Sequence, residues 1–302
     1  MIRYIFHYFK WIKSLIIRPI QTIRWLKSDF KKDNNSKNFT SSHKKVWCAG
    51  LPKSGTTLIE KILDILPYVR LNNSFYRVYL TGKQERDHGI SNYNFKNLTN
   101  DKFTFLKTHT QYEKKYENIA KNHNLKIIIS MRDLRDMLIS RYFHIMNDNS
   151  HWLHHHIKDL NFTDGFISSM KIQWNKNSPN ALDYYYHWIN DWHEVSRKNE
   201  YLILWFEDFK KDRKKYIGNI LEYLNFKEFS INEIEEKISN PEKNKKKLSE
   251  SLKSYGRSKD TFRKGEVGEW KKYFNNSINE YFEKNIPGSI DNVSYEYLKK
   301  KK

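Results

Sequence analysis

Cys48-Ala49-Gly50-Leu51-Pro52-Lys53-Ser54-Gly55-Thr56-Thr57-Leu58 is a glycine-bearing turn set between two apolar stretches. Val46-Trp47-Cys48-Ala49 reads as a short buried strand, and Leu58, Ile59, Ile62, Leu63 and Leu66 form one helical stripe behind the turn. Such a turn aims backbone N–H groups and the positive end of the helix at one point, which makes it an anion site. A Walker A loop requires Gly, four residues, then Gly-Lys-Ser/Thr. Gly50 and Gly55 have that separation, but Thr56 stands where the lysine belongs and the lysine comes early, at Lys53. The Mg²⁺–γ-phosphate arrangement of an NTPase is therefore not encoded. A lysine at position 53 still reaches a phosphoryl or sulfuryl oxygen across the loop. Ser54, Gly55, Thr56 and Thr57 add backbone donors, and the two threonines add hydroxyls. The plain alternative is a basic loop with two incidental glycines.

Two further strand ends carry chemistry. Phe103-Thr104-Phe105-Leu106 reads as a strand that delivers Lys107 and His109 to its C-terminal end, where open α/β sheets place their sites. Histidine accepts a proton near neutral pH. Lys126-Ile127-Ile128-Ile129-Ser130-Met131 is a β-branched run suited to a central parallel strand. Arg132 ends it, and a helix follows with Met137, Leu138 and Phe143 on its apolar side and Ser140 about two turns in. Arginine binds a terminal phosphate bidentately, better than lysine does. The competing reading pairs Arg132 with Asp133 or Asp136 on the surface.

The loop resembles the 5′-phosphosulfate-binding loop of the sulfotransferases that use 3′-phosphoadenosine 5′-phosphosulfate (PAPS), whose pattern is Pro-Lys-Ser-Gly-Thr-Thr-Trp. Three other segments match that family in the same order: Phe105 to His109, Arg132 to Ser140, and Phe262-Arg263-Lys264-Gly265-Glu266-Val267-Gly268-Glu269-Trp270-Lys271. The resemblance implies a three-layer, P-loop-like α/β fold with a mostly parallel central sheet flanked by helices. It implies transfer of a sulfuryl group from PAPS to a hydroxyl or amine of a glycan, lipid or small alcohol or phenol, without a metal. His109 would take the acceptor's proton, with Lys53 and Lys107 stabilising the sulfuryl group and the leaving phosphate. Ser54, Gly55, Thr56, Thr57, Arg132, Ser140, Phe206, Arg263, Lys264 and Gly265 would hold the nucleotide, the last three in a loop over its 3′-phosphate.

Several positions depart from the pattern. Leu58 replaces a tryptophan that stacks on adenine, and Phe206 replaces a tyrosine in Leu204-Trp205-Phe206-Glu207-Asp208. Asp133-Leu134-Arg135 replaces Asn-Pro-Lys, Glu269 replaces an aspartate, and Thr110-Gln111 replaces Leu-Pro after the histidine. Donor use is expected to survive these changes; acceptor identity does not carry over. The rival enzyme is a P-loop nucleotide or small-molecule kinase, weakened by the missing Gly-Lys-Thr order. The non-enzymatic rival is a membrane-surface or nucleic-acid-binding protein on a degenerate nucleotide fold. No zinc-finger spacing or RNA-binding aromatic pair supports a nucleic-acid module.

Composition sets the outer bounds. The 302 residues carry 55 Lys and Arg against 35 Asp and Glu, a formal charge of +20, which draws anionic partners but says nothing of fold. The wealth of Asn, Lys, Ile and Tyr marks a compositional bias that accounts for part of that charge. Cys48 is the single cysteine, so no intrachain disulfide or cysteine metal cluster forms, and a buried thiol in a reducing, cytoplasmic compartment is expected. Residues 1–30 interleave aromatic and aliphatic residues with six basic ones, with no span-length apolar run. That is the pattern of amphipathic helices at an anionic membrane surface, and an arm packed on the domain is the competing reading. Residues 31–45 read as a polar linker, 46–290 as the sulfotransferase domain and 291–302 as a basic tail; oligomeric state is not encoded.

Between the motifs, Ala181 to Val195 reads as a long amphipathic helix, Tyr201 to Trp205 as a strand and Tyr216 to Leu224 as a helix. Glu269 to Phe282 reads as the last helix. His151-Trp152-Leu153-His154-His155-His156 tempts a metal assignment, but no carboxylate or cysteine stands at an organised spacing, so a lid near the acceptor is expected instead.

Overall fold

The computed structural model describes residues 45–66, 70–71, 104–149, 151–171, 180–226, 229–239 and 264–301. The N-terminal arm, most of the linker, and Phe103, Phe262 and Arg263 lie outside the described residues. The strands are β1 (Lys45–Gly50), β2 (Arg70–Leu71), β3 (Thr104–Thr108), β4 (Leu125–Met131) and β5 (Leu202–Trp205). They form one sheet in the order β2-β3-β1-β4-β5, with β3 parallel to both β1 and β2. Every residue of β1 is buried, the condition of a strand covered on both faces. The helices are α1 (Thr56–Ile65), α2 (Lys115–Asn122), α3 (Leu134–Met146), α4 (His154–Ile157), α5 (Phe162–Met170) and α6 (Ala181–Asn199). They continue as α7 (Phe206–Lys211), α8 (Arg213–Tyr223), α9 (Ile231–Ser239), α10 (Asn276–Asn285) and α11 (Tyr295–Lys300). This is an α/β fold with a mostly parallel central sheet flanked by helices.

The chain divides into two compact units. The first takes its described residues from 45–49, 57–128 and 212–239. Its core includes Trp47, which meets Tyr116 of α2 edge-on at 5.4 Å and donates its indole N–H to Thr108 Oγ1 at 2.8 Å. Tyr223 of α8 clasps β4, its hydroxyl accepting from Ile127 N and donating to Ile127 O. The second unit takes Gly50–Thr56, Ile129–Lys211 and residues 264–301. Trp188 and Trp192 of α6 are buried there, and Phe166 of α5 stacks on Phe282 of α10.

Caps set the helix boundaries. Asp133, Asn180, Asp212 and Asn275 each accept a backbone N–H at the start of α3, α6, α8 and α10. The segment from Glu269 to Phe282 is not one helix, as its periodicity suggests. Glu269–Lys272 is a 3₁₀ turn, and Asn275 caps a separate α10. A short polar cap outcompetes helix continuation because it satisfies the first N–H groups of the new helix. Within the basic end of the chain, α11 is docked by Tyr295, whose hydroxyl donates to Asp208 Oδ1 at 2.8 Å.

Candidate active site

In the second unit, residues 50–56 turn tightly at the end of β1. Ser54 N and Ser54 Oγ both donate to Leu51 O, at 3.1 and 2.8 Å. Lys53 has a φ of 75° and Gly55 one of 106°, so two residues hold left-handed backbone, the kind of winding that turns N–H groups inward. Ser130 ties the loop to β4, its hydroxyl donating to Ser54 O at 3.1 Å. Gly50 is required by space. A Cβ there would lie 2.4 Å from Thr56 Cγ2 and 2.8 Å from Ser130 Cβ. Ser54 and Thr56 are buried, and Lys53 is partly buried.

Arg132 follows β4 directly and is 5% exposed, so the surface ion-pair reading fails. Its Nη2 donates to Glu266 O at 2.9 Å, and its guanidinium lies 4.6 Å from the centroid of the Phe206 ring. Phe206 also closes on the loop, since a Cβ at Gly55 would meet its Cδ2 at 3.3 Å. Loop, arginine and phenylalanine therefore form one wall. Asp133 pairs instead with Arg135, which lies 4.0 Å from the Trp270 ring centroid. Asp136, 1% exposed, accepts from Gly268 N at 2.6 Å and Trp270 N at 2.9 Å. Burial raises the Asp136 pKa, and the two backbone bonds oppose that shift. Lys264 is exposed and Gly265 has a φ of 62°, so the segment clamped by Asp136 begins at the proposed phosphate residues. Ser140 is buried in α3.

Beneath Arg132, Glu207 accepts from Asp133 N at 2.9 Å through Oε1. Its Oε2 meets no hydrogen-bond partner among the described residues. Burial pushes the Glu207 carboxyl up to about 7, against the pull of backbone bonds and Arg132.

In the first unit, Lys107 is the fourth residue of β3 and His109 follows the strand immediately, half-buried. The register sets Lys107 beside Cys48 of β1. Lys107 Nζ donates to Glu60 Oε2 of α1, and both side chains are almost wholly buried. Burial pushes the Cys48 thiol up to about 12, with Lys107 lowering it and Glu60 raising it. Thr57 lies in the first turn of α1.

A family model for the sulfotransferase domain matches residues 43–294. The chain belongs to the PAPS-dependent sulfotransferase family. Human sulfotransferase 1C2 is 23% identical over 267 residues, covering 82% of this chain and 83% of that protein. Flavonol 3-sulfotransferase of Flaveria bidentis is 24% identical over 271 residues, 83% of each chain. The crystal structure of mouse sulfotransferase SULT7A1 complexed with PAP matches with a TM-score of 0.57 at 19% identity. It covers 91% of this chain and 95% of the mouse chain.

Other parts of this sulfotransferase do not join the site described. The histidine run forms α4, with Leu153 and Ile157 buried beneath it and His155 and His156 exposed. No cluster among the described residues could hold a metal ion, and no helix among them is long and apolar enough to cross a membrane. A concavity of about 810 Å³ between α6, β5 and α11 is lined by His193, Arg197, Trp205 and Lys301 and shares no residue with the loop. Its Lys198 and Lys299 are already paired with Glu194 and Asp208. Sequence reading passed over Glu60, Ser130, the roles of Asp136 and Glu207, and the Arg135–Trp270 stack. Asp136, Glu207 and Trp270 each carried a signal, standing in segments that resemble the family, whereas Glu60 and Ser130 carried none.

Proposed function

We propose that this sulfotransferase moves a sulfuryl group from PAPS to the hydroxyl or amine of an acceptor, with the nucleotide held on the loop–Arg132–Phe206 wall. The carrying observation is that wall: left-handed Lys53 and Gly55, a Gly50 that admits no Cβ, and a buried Arg132 stacked on Phe206. The residues fit an adenosine 3′,5′-bisphosphate (PAP) moiety, whose two phosphates need separate cation-bearing cradles. When bound, the donor supplies the sulfuryl group and the leaving phosphate.

Lys53 and the amides of residues 54–57 hold the 5′ end, in the manner of a P-loop without its magnesium. Arg132, Ser140, Lys264 and Gly265, with Arg263, hold the 3′-phosphate, and Phe206 packs beside the base or ribose. His109 takes the acceptor's proton, while Lys107 supports the transferring group. The bond from sulfur to the acceptor forms as the bond from sulfur to the phosphate oxygen breaks. The mouse relative's complex with PAP supports the same nucleotide here. The kinase alternative lacks the Gly-Lys-Thr order, since Thr56 stands where its lysine belongs.

The test is calorimetry with PAP against adenosine 5′-phosphate. PAP is expected to bind at least ten-fold more tightly, because charge-assisted bonds to the 3′-phosphate contribute about 1.5–3 kcal/mol each before losses. Equal affinities would remove the 3′-site, and preference for ATP with Mg²⁺ would favour the kinase.

A further inference from the structure

Lys107 and Glu60 form an ion pair in a dry place. Their side chains are 10% and 9% exposed, and Cys48 lies beside Lys107 in the sheet register. The thiol is fully buried. Burial is the chief cause that raises the thiol's pKa, in keeping with a dry environment around Lys107 and its neighbour in the sheet. Taking two charges out of water rarely stabilises a fold more than apolar residues of the same size would, so such a pair calls for another reason. Position supplies one. Lys107 stands two residues before His109, at the strand end that the proposed function assigns to transfer.

We propose that Glu60 is a positioning residue for sulfuryl transfer, fixing the Lys107 ammonium at the end of β3 and keeping it charged. The role rests on the transferase reading of Lys107. An unpaired lysine in a buried site sheds its proton readily. Paired with the Glu60 carboxylate, it stays an ammonium. The carboxylate also limits the rotamers of a long flexible side chain. Lys107 then meets the developing charge already oriented, instead of reorganising during the reaction.

The test uses the full chain and the variants Glu60→Gln, Glu60→Asp, Lys107→Met and the Glu60→Gln/Lys107→Met double. Acylation of Lys107 by acetic anhydride, followed across pH by peptide mass spectrometry, reads the pairing without any activity. In Glu60→Gln the onset of acylation should move at least one pH unit lower, and Glu60→Asp should restore part of the shift. Unchanged acylation would overturn the pairing. Transfer from labelled PAPS to a panel of phenols and alcohols reads the role. Glu60→Gln should lower kcat about ten-fold or more, leave the donor KM within two-fold, and bring the alkaline limb of the kcat profile to lower pH. In the Lys107→Met background the same change should add nothing. Losses that multiply in the double variant, or a loss confined to donor KM, would overturn the role. An acylation shift in a protein that moves no sulfate would strike the transferase reading, and the role with it. Glu60→Asp covers the case in which the glutamine variant fails to fold.

Discussion

Replacing Asp136 by asparagine tests how the late segment is held. The carboxylate accepts Gly268 N at 2.6 Å and Trp270 N at 2.9 Å from a site that is 1% exposed. Asparagine keeps one acceptor oxygen but turns an NH₂ group toward the second backbone N–H. One charge-assisted bond is lost and the other becomes neutral, a cost of about 2–4 kcal/mol. Burial already disfavours the charged form of Asp136, so the lower figure is the better guide. About 2 kcal/mol corresponds to roughly 30-fold in an equilibrium constant. If docking of residues 264–272 is coupled to the 3′-phosphate, PAP affinity should fall by up to that factor. Adenosine 5′-phosphate, lacking the 3′-phosphate, should bind nearly as before. Calorimetry with both nucleotides and hydrogen exchange at the amides of Gly268 and Trp270 are the measurements. Unchanged exchange would refute the clamp. Faster exchange with unchanged PAP affinity would refute its coupling to the nucleotide.

Gly50→Ala should lower stability by about 1–3 kcal/mol in urea unfolding and weaken PAP binding, because its methyl would sit on Thr56 and Ser130; wild-type behaviour would contradict the loop geometry. His109→Ala should reduce kcat by about 10²-fold while binding PAP almost normally, and a rate near that of the wild type would remove His109 from the chemistry. Glu207 has its carboxyl raised from 4.5 to about 7 by burial. Its stabilising contribution is therefore fully present below about pH 4.5 and is lost as pH rises through about 7, by at most roughly 3 kcal/mol. Relative to Glu207→Gln, the wild type should thus lose stability between pH 5 and pH 8 in urea unfolding, and a difference independent of pH would contradict the assignment.

Local pattern determined much of this protein. The strand–turn–helix around Gly50 and Gly55, the β-branched run into Arg132, and the placing of His109 just past a strand were all legible. Each depends on neighbours in the chain: apolar periodicity, glycine where left-handed or crowded backbone is needed, and a capping Asp133. The order of four motifs along the chain also pointed to the family. Helix breaks were less legible, since the apolar spacing of Trp270, Phe274, Ile278 and Phe282 continues through the cap at Asn275. What only the tertiary structure decided is the partner of each charge. Asp133 and Asp136 both stand within four residues of Arg132 in sequence, yet one holds Arg135 and the other holds backbone more than 130 residues away. Glu60 looked like one more charge in a helix, and Lys107 lies 47 residues beyond it. Burial settles such pairings, because a charge removed from water must take the partner that the packing brings within a hydrogen bond, whatever its distance along the chain.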